Sequence, residues 1–432
     1  MDKKLLSLIK LTNPWFDTPS ISYLQEAEYH PRLQGELLLS EEWDRQWLVL
    51  IGPRRAGKTT LGKHLATQFV DSGRYQQLIY LNCDYTLIRQ HLTDPLAIVE
   101  LAKHLKLDNP VIFIDEVQRI ENPGLLMKAI ADLELPYKLI ASGSSQLELK
   151  SKVQEFLTGR QFVATILPMS ILELGSEYIW ENHAIWGGYP QIIASTQKQL
   201  QLGQLYDSYI QKDIIEILKV GKPDTLQTLL VLIAHSSGQL VNYNQLATDC
   251  QVTIKTVQNY LSILEQTFVL SKIKPFVGNK RSEVTSNPVY YFIDNGFRNY
   301  VLDNFTSLFG RQNAGLLIES LVFQELLKFK VQSFLNYSIH YWRTTSGAEV
   351  DFVLKSGSDN LLPIEVKYQN FAKPAISRGY RSFLQAYRPA EGVILNKNQT
   401  GSIEVEGTKV HFIPMDELID LFDIIRRRFI PN

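Results

Sequence analysis

One nine-residue stretch limits what this chain can fold into more than any other: Gly52, Pro53, Arg54, Arg55, Ala56, Gly57, Lys58, Thr59 and Thr60, directly after the apolar run Trp47 to Ile51. Its spacing is G-x-x-x-x-G-K-[ST]. The glycines let the backbone curl so that its N–H groups face a phosphate chain. Lys58 is then in reach of the β- and γ-phosphates, and Thr59 offers a hydroxyl to Mg2+. A helix expected to begin near Gly57 adds its positive end at the same point. A strand that feeds such a loop and a helix that leaves it describe one edge of an α/β sheet, so residues 52–60 are read as a phosphate-binding loop.

A second element says what is done with the phosphates. In NPVIFIDEVQRI, the apolar residues Val111 to Ile114 form a short buried strand that ends in Asp115 and Glu116. Asp115 is placed to hold Mg2+ through water, and Glu116 to polarise the water that attacks the γ-phosphate. Standing alone, the pair reads as well as an acidic cap on a strand or helix; its position downstream of the loop favours the catalytic reading. YKLIASGSSQLEL then gives another strand tipped by Ser142, Ser144 and Ser145. Ser142 or Ser144 is the candidate contact to the attacking water or the γ-phosphate. In EFLTGRQFVATILPMSILEL, a helix is expected to end at Gly159-Arg160, just before a strand over 162–166. Arg160 there can meet a neighbouring subunit's nucleotide, or can be a helix C-terminal arginine favoured by the macrodipole.

These strands alternate with helical stretches, which implies a parallel sheet covered on both faces. At this point the chain resembles the AAA+ superfamily, and more closely a prokaryotic P-loop ATPase family of the AAA_14 type that carries a C-terminal DUF4143 domain. The residues that carry the resemblance are NPWF (13–16), GPRRAGKTT (52–60), IFIDEVQ (112–118), GSS (143–145), LTGR (157–160), GGYP (187–190) and RTTSGAEVDFVL (343–354). The resemblance implies an ATP-dependent machine, with ATP and Mg2+ as cofactors and a homo-oligomeric assembly.

The 432 residues suggest about two to four domains. Lys plus Arg, 44, nearly balance Asp plus Glu, 45, so no global field draws the chain to nucleic acid, and any such contact must be a local patch. Cys83 and Cys250 lack disulfide or metal-ligand spacing, which fits a reducing compartment. Lys10 interrupts the N-terminal apolar run too early for a signal peptide, and no segment approaches the roughly twenty apolar residues that span a bilayer. A cytoplasmic protein without a membrane anchor is expected.

Residues 1–46 are read as an N-terminal segment, 47–175 as the ATPase core, and 176–224 as a helical lid. Residues 225–300 read as a winged-helix-like domain. LQTLLVLIAHSSG, NYNQLATDCQ and TIKTVQNYLSILEQTFVL are amphipathic, and the last two meet at a polar turn near Val252 and Thr253. LSKIKPF and NPVYYFID read as two strands around a basic turn, the wing. A DNA-binding version would put Lys255, Thr256, Gln258 and Asn259 in a groove and Lys272, Lys274, Lys280 and Arg281 on phosphates; a packing module is the alternative.

Residues 301–432 read as an α/β domain. A helix carrying Glu319 is followed by strands in IHYWRT, EVDFVLK and LPIEVKY, a helix between Pro374 and Tyr387, and a strand in EGVILNKN. This α-β-β-β-α-β order, with Asp351 on the second strand and Glu365-Val366-Lys367 on the third, resembles the PD-(D/E)xK nuclease superfamily. Alternate strand residues share a face, so Glu365 and Lys367 point together. With Asp351 and Glu319 they would form an oxygen cage for Mg2+, and Lys367 would orient the attacking water. An ordinary cross-strand ion cluster is the competing reading. The expected whole is therefore an α/β protein: a P-loop AAA+ core, a helical lid, a winged-helix-like middle and a nuclease-like C-terminal domain. The expected function is a Mg2+-dependent ATPase that remodels or translocates DNA, branched or duplex, and feeds it to the nuclease-like domain. An ATP-switched regulator or scaffold with a non-cleaving domain is the second reading. A P-loop kinase is a third, disfavoured by the position of Glu116.

Overall fold

Five short runs rich in Ile, Leu and Val build the first sheet: β1 (Trp47–Ile51), β2 (Gln77–Asn82), β3 (Pro110–Asp115), β4 (Lys138–Gly143) and β5 (Gln161–Thr165). All neighbours run parallel, in the order β2-β3-β4-β1-β5. β1, β3 and β4 are buried at every residue, as expected of parallel strands covered on both faces. The helix Lys58–Asp71 packs on β3, β4 and β2. The sheet's two edges are closed by side chains from the N-terminal segment. Asn13 and Trp15 bond to the backbone of β2, and Gln34 Nε2 donates to the Thr165 carbonyl on β5 at 2.9 Å, which removes rows of unpaired backbone groups that invite pairing with other chains.

The computed structural model describes residues 2–16, 29–94, 96–144, 159–217, 221–278 and 287–430. They divide into two compact units, Met1–Leu167 with Gln266–Phe268, and Pro168–Glu265 with Val269–Asn432. Ser145, Leu157, Thr158, Lys280 and Arg281 lie outside the described residues, as does the helix expected before Gly159.

The second unit begins with short helices, Trp180–Trp186, Pro190–Ile193 and Lys198–Tyr206, the last running on into a π-helical stretch over Asp207–Ile217. The helix Pro223–His235 follows, then Tyr243–Asp249 and Ile254–Gln266, the pair expected to form a helix-turn-helix. Asn242 caps the first of this pair, its side chain accepting from Asn244 N and Gln245 N.

Eight strands then form one sheet in the order β12-β13-β11-β10-β9-β8-β6-β7: β6 (Leu270–Pro275), β7 (Val289–Phe292), β8 (Ser338–Arg343), β9 (Glu349–Ser356), β10 (Asn360–Val366), β11 (Glu391–Asn396), β12 (Gly401–Val405) and β13 (Thr408–Pro414). The helix Ala314–Gln332 and the strands through β11 follow the expected α-β-β-β-α-β order, with the intervening helix at Arg378–Tyr387. β12, β13 and the helix Ile419–Phe429 add to it without a counterpart in the sequence reading.

The middle strands depart from expectation. Instead of a separate wing, β6 and β7 extend the C-terminal sheet, β6 pairing in parallel with β8 through Lys274↔His340 and Pro275↔Tyr341. The cause is burial: Ile273, Val289 and Tyr291 pack in the same core as Leu317, Leu321, Phe352 and Ile364.

Within this unit a buried polar network ties the GGYP turn to the helices around it. Asp294 accepts from Gly188 N at 2.7 Å and Phe297 N at 3.1 Å. Lys328 Nζ donates to Glu325 and the Met169 carbonyl and lies 3.0 Å from His183 Nε2. Burial foremost, then Lys328, lowers the His183 pKa against the pull of Glu325.

Candidate nucleotide site

The C-terminal ends of parallel strands are where an α/β sheet binds ligands, and three of them converge here. β1 ends at Ile51, just before Gly52, β3 at Asp115 and β4 at Gly143, with Leu50 in register with Ser142 and Ile51 with Gly143. Gly52 has φ +150°, and a Cβ there would lie 2.0 Å from the Ile166 carbonyl oxygen, so only glycine lets the loop leave the strand at this point. Gly57 has φ +98° and turns the chain into the helix that begins at Lys58. Pro53, Arg54, Arg55 and Ala56 form the arch between them. Lys58 Nζ lies beneath that arch, donating to the Gly52 carbonyl at 3.1 Å and the Pro53 carbonyl at 2.8 Å. Thr59 and Thr60 occupy the first helical turn.

Asp115 is the hub. The Thr59 hydroxyl lies 3.0 and 3.2 Å from its two carboxylate oxygens, the Tyr80 hydroxyl donates to Oδ2 at 2.8 Å, and the Ser142 hydroxyl donates to Oδ1. A hydroxyl and a carboxylate meeting beside a phosphate loop are the donor types a Mg2+ site of this kind uses, so Thr59 and Asp115 fit the ion. Glu116 follows in the left-handed region, φ +54°, which swings its side chain away from the strand's alternation. Burial foremost raises its pKa, against the pull of Lys58. Gln118 Nε2 donates to Glu116 Oε2 at 2.5 Å and to Ser144 Oγ at 2.9 Å. Lys58, Thr59, Asp115, Glu116, Ser142 and Ser144 are thus brought together, and two further residues, Tyr80 and Gln118, join them. Gln118 sits in the quoted IFIDEVQ stretch, where its two-residue distance from Glu116 was the available signal; Tyr80 sits on a different strand and left none.

Arg160 stands apart. Its carbonyl accepts from Trp47 N at 3.0 Å, at the start of β1, whereas the phosphate loop follows the end of that strand. Five strand residues, roughly 16 Å, separate the two ends. The half-exposed guanidinium pairs with Asp132.

The second unit holds the other acidic group. Glu319 accepts from the Tyr291 hydroxyl at 2.6 Å, and Asp351 accepts from Val366 N at 2.7 Å. Glu365 receives the Ser377 hydroxyl and the Lys367 ammonium, each at 2.9 Å. Burial foremost, with Asp351 adding to it, pushes Glu319 up to about 8; burial likewise pushes Asp351 up to about 7 against the pull of Lys367. Burial acts to lower Lys367, but Glu365 and Asp351 outweigh it and its pKa rises. Glu319 and Asp351 line a cleft of about 490 Å3 together with Glu349, Gln239 and Arg343. One oxygen, Glu365 Oε2, is buried without a hydrogen-bond partner. Yet among the described residues no group of three or more His, Cys, Asp or Glu is disposed to hold a metal ion. The four residues expected as a cage are neighbours in charge and, as arranged, form an ion cluster in which Glu319, Asp351 and Glu365 each accept from a donor of their own through one oxygen. No catalytic step is derived through them.

On the helix-turn-helix pair, Lys255, Gln258 and Asn259 are exposed and Thr256 is half-buried. Lys272 pairs with Glu265 at 3.3 Å, and Lys274 is exposed. An open cleft of about 780 Å3 at the turn is lined by Lys222, Asn244, Thr248, Gln251 and Thr253 among others.

A parallel sheet with a phosphate loop, an acidic strand end and a serine-tipped neighbour defines a P-loop domain of the AAA class. Comparison with known proteins agrees: residues 44–175 match the AAA domain family AAA_14, 177–308 a domain of unknown function, DUF8612, and 314–418 a domain of unknown function, DUF4143. Residues 44–175 thus carry an AAA domain and residues 314–418 a DUF4143 domain. It is 22% identical over 345 residues to an uncharacterized protein of Haemophilus influenzae, covering 74% of this chain and 82% of that one. It is 25% identical over 348 residues to an uncharacterized protein of Mycobacterium tuberculosis, covering 78% and 73%. Among solved structures it is similar to AMPPCP-bound DnaA from Aquifex aeolicus, at 14% identity and a TM-score of 0.28, covering 54% of this chain and 85% of that chain. It is similar too to PCH-2 of C. elegans, at 19% identity and 0.23, covering 58% and 68%. TM-scores this low carry no argument about fold or function. Among the described residues, no helix is long and apolar enough to cross a membrane.

Proposed function

We propose that this protein is a Mg2+-dependent ATPase that binds and remodels or translocates DNA in a homo-oligomer. The observation that carries the ATPase reading is the convergence of Lys58, Thr59, Asp115, Glu116 and Ser142 at the ends of three adjacent strands. Bound ATP places its phosphates over the loop N–H groups and Lys58, and the Mg2+ held near Thr59 and Asp115 offsets their charge. Glu116, its pKa raised by burial and its carboxylate held by Gln118, takes the proton of the attacking water. Ser142 and Ser144 stand where the γ-phosphate or that water would lie. Arg160 is too far from its own loop to serve it, so a role at the nucleotide site belongs to a neighbouring subunit.

The DNA part of the proposal is supported by the exposed polar and basic residues Lys255, Gln258 and Asn259 on the second helix of the helix-turn-helix pair. For the nuclease-like domain, the pairing of Lys367 with Glu365, and of Glu319 and Asp351 with donors of their own, favours the second reading, a domain that binds without cutting. The deciding experiment measures ATP turnover without nucleic acid and with duplex, single-stranded and branched DNA, in Mg2+ and then in Mn2+, following DNA length in the same tubes. Stimulation by one DNA form with its length unchanged is expected. Turnover indifferent to every DNA form would remove the DNA role, and shortened DNA would restore cleavage.

A further inference from the structure

We infer that Tyr80 is a positioning residue for Asp115, and that the Asn13-Pro14-Trp15-Phe16 stretch acts as a clamp that sets Tyr80 in place; this rests on the reading that Asp115 serves a nucleotide-bound Mg2+. The NPWF stretch was notable in the sequence, and nothing in the hydrolytic chemistry above uses it.

β2 is an edge strand: one side pairs with β3, Tyr80 facing Phe113 and Asn82 facing Asp115, and the other side presents free backbone groups. The Asn13 side chain takes both groups of Tyr80, accepting its N–H at 2.6 Å and donating to its carbonyl at 2.9 Å. Two residues on, the Trp15 indole N–H donates to the Leu78 carbonyl at 2.6 Å. Residues 13 and 15 thus meet residues 80 and 78, so two side chains act as a short antiparallel strand. Asn13 has no exposed surface, and its amide also donates to the Ile9 carbonyl at 2.8 Å, anchoring it to the end of the N-terminal helix. Two bonds to the backbone of one residue, on the peptide units either side of its Cα, fix the height of Tyr80. Its ring, with its centroid 5.3 Å from that of Phe113 and 5.4 Å from the Lys63 ammonium, carries the hydroxyl to Asp115 Oδ2 at 2.8 Å.

That hydroxyl is a fixed donor. Ser142 holds Oδ1 from β4 and Tyr80 holds Oδ2 from β2, so the plane of the carboxylate is set from both sides while Thr59 approaches from the helix. Groups that orient a ligand in this way tune metal affinity as strongly as many direct ligands.

The test uses the full chain and a non-hydrolysable ATP analogue, with its Kd measured in Mg2+ and in excess EDTA. The ratio of the two is the ion's share of binding. Tyr80→Phe keeps the ring and removes the hydroxyl; the ratio should fall by about 10-fold with the EDTA value unchanged. Asn13→Ala, which removes both side-chain bonds to the Tyr80 backbone but leaves the Tyr80 hydroxyl in place, should move the ratio in the same direction by about 3-fold. A wild-type ratio in Tyr80→Phe overturns the inference. Equal loss of both Kd values overturns it too, since Tyr80 would then serve folding alone. A wild-type protein whose binding ignores Mg2+ defeats the ATPase reading itself, a result separable from either.

Discussion

Asp115 and Asp351 are both strand aspartates, yet their neighbours are arranged in opposite ways. Around Asp115 the partners are hydroxyls, those of Thr59, Tyr80 and Ser142, which can reorient when an ion arrives. Around Asp351 the partners are a backbone N–H and the field of Lys367, itself locked to Glu365. The first arrangement can exchange a proton donor for a cation at little cost. In the second, a cation must displace an ammonium already paired. A carboxylate cluster is therefore informative about metal chemistry chiefly through the partners its oxygens already have.

The largest effects that test this contrast fall on the first site. Lys58→Ala should abolish measurable binding of an ATP analogue, and Glu116→Gln should leave binding intact while slowing turnover about 100-fold or more. Wild-type turnover in Glu116→Gln would mean another group is the base. An intermediate effect is expected at the second site. The double change Asp351→Asn with Glu365→Gln strands Lys367, and should destabilise the second unit by about 2 kcal/mol, below the value for a fully buried pair because Lys367 reaches solvent. With Lys58→Ala present to silence the nucleotide site, Mg2+ or Mn2+ should not shift the melting midpoint of the otherwise native protein. A clear shift, lost in the double variant, would make the two sites alike and break the contrast.

The smallest effect is one of pH. Glu319 and Asp351 titrate near 8 and 7 in the folded chain and at the ordinary carboxylate value, about 4, when unfolded. Between those limits the folded state holds more protons than the unfolded one, so their contribution to stability is full below about pH 4. It declines as pH rises, and is lost above about 8. In chelator, the midpoint of the native protein should fall between pH 6 and 8.5 by more than that of Glu319→Gln. Parallel curves for the two proteins would contradict the raised pKa of Glu319.

The loop, the Asp115-Glu116 strand end and the serine strand were readable from sequence because each is local: glycine spacing, an apolar run, a polar tip. The order of elements after Ala314 was readable for the same reason. What escaped involves partners far apart in the chain. Tyr80 reaches Asp115 across 35 positions and Asn13 reaches Tyr80 across 67, separations at which no periodicity operates. The two wing strands pair as read, but an apolar alternation states that a strand has a buried face without stating which sheet continues it. Leu270, Tyr290 and Phe292 share the core of the helix-turn-helix pair, while Ile273 and Val289 pack in the core that holds Leu317 and Leu321. The acidic residues were legible as a group, but the orientation of their carboxylates depends on Tyr291, Ser377 and the Val366 backbone N–H, which residue spacing does not reveal.

The strand β6, contributed from before residue 300 to a sheet whose other members come mostly after it, sets a limit on how this protein can be divided. The family boundaries at 177–308 and 314–418 pass between β7 and β8. A C-terminal piece starting at 314 would keep β8 but lose its partner, uncovering backbone groups that β6 and the Phe276 N–H, at 2.6 Å from the Tyr341 carbonyl, now occupy. Such an edge, flanked by Tyr341 and Trp342, is a template for intermolecular pairing. Solubility of the isolated fragment would suffer for that reason, whatever activity the intact chain has.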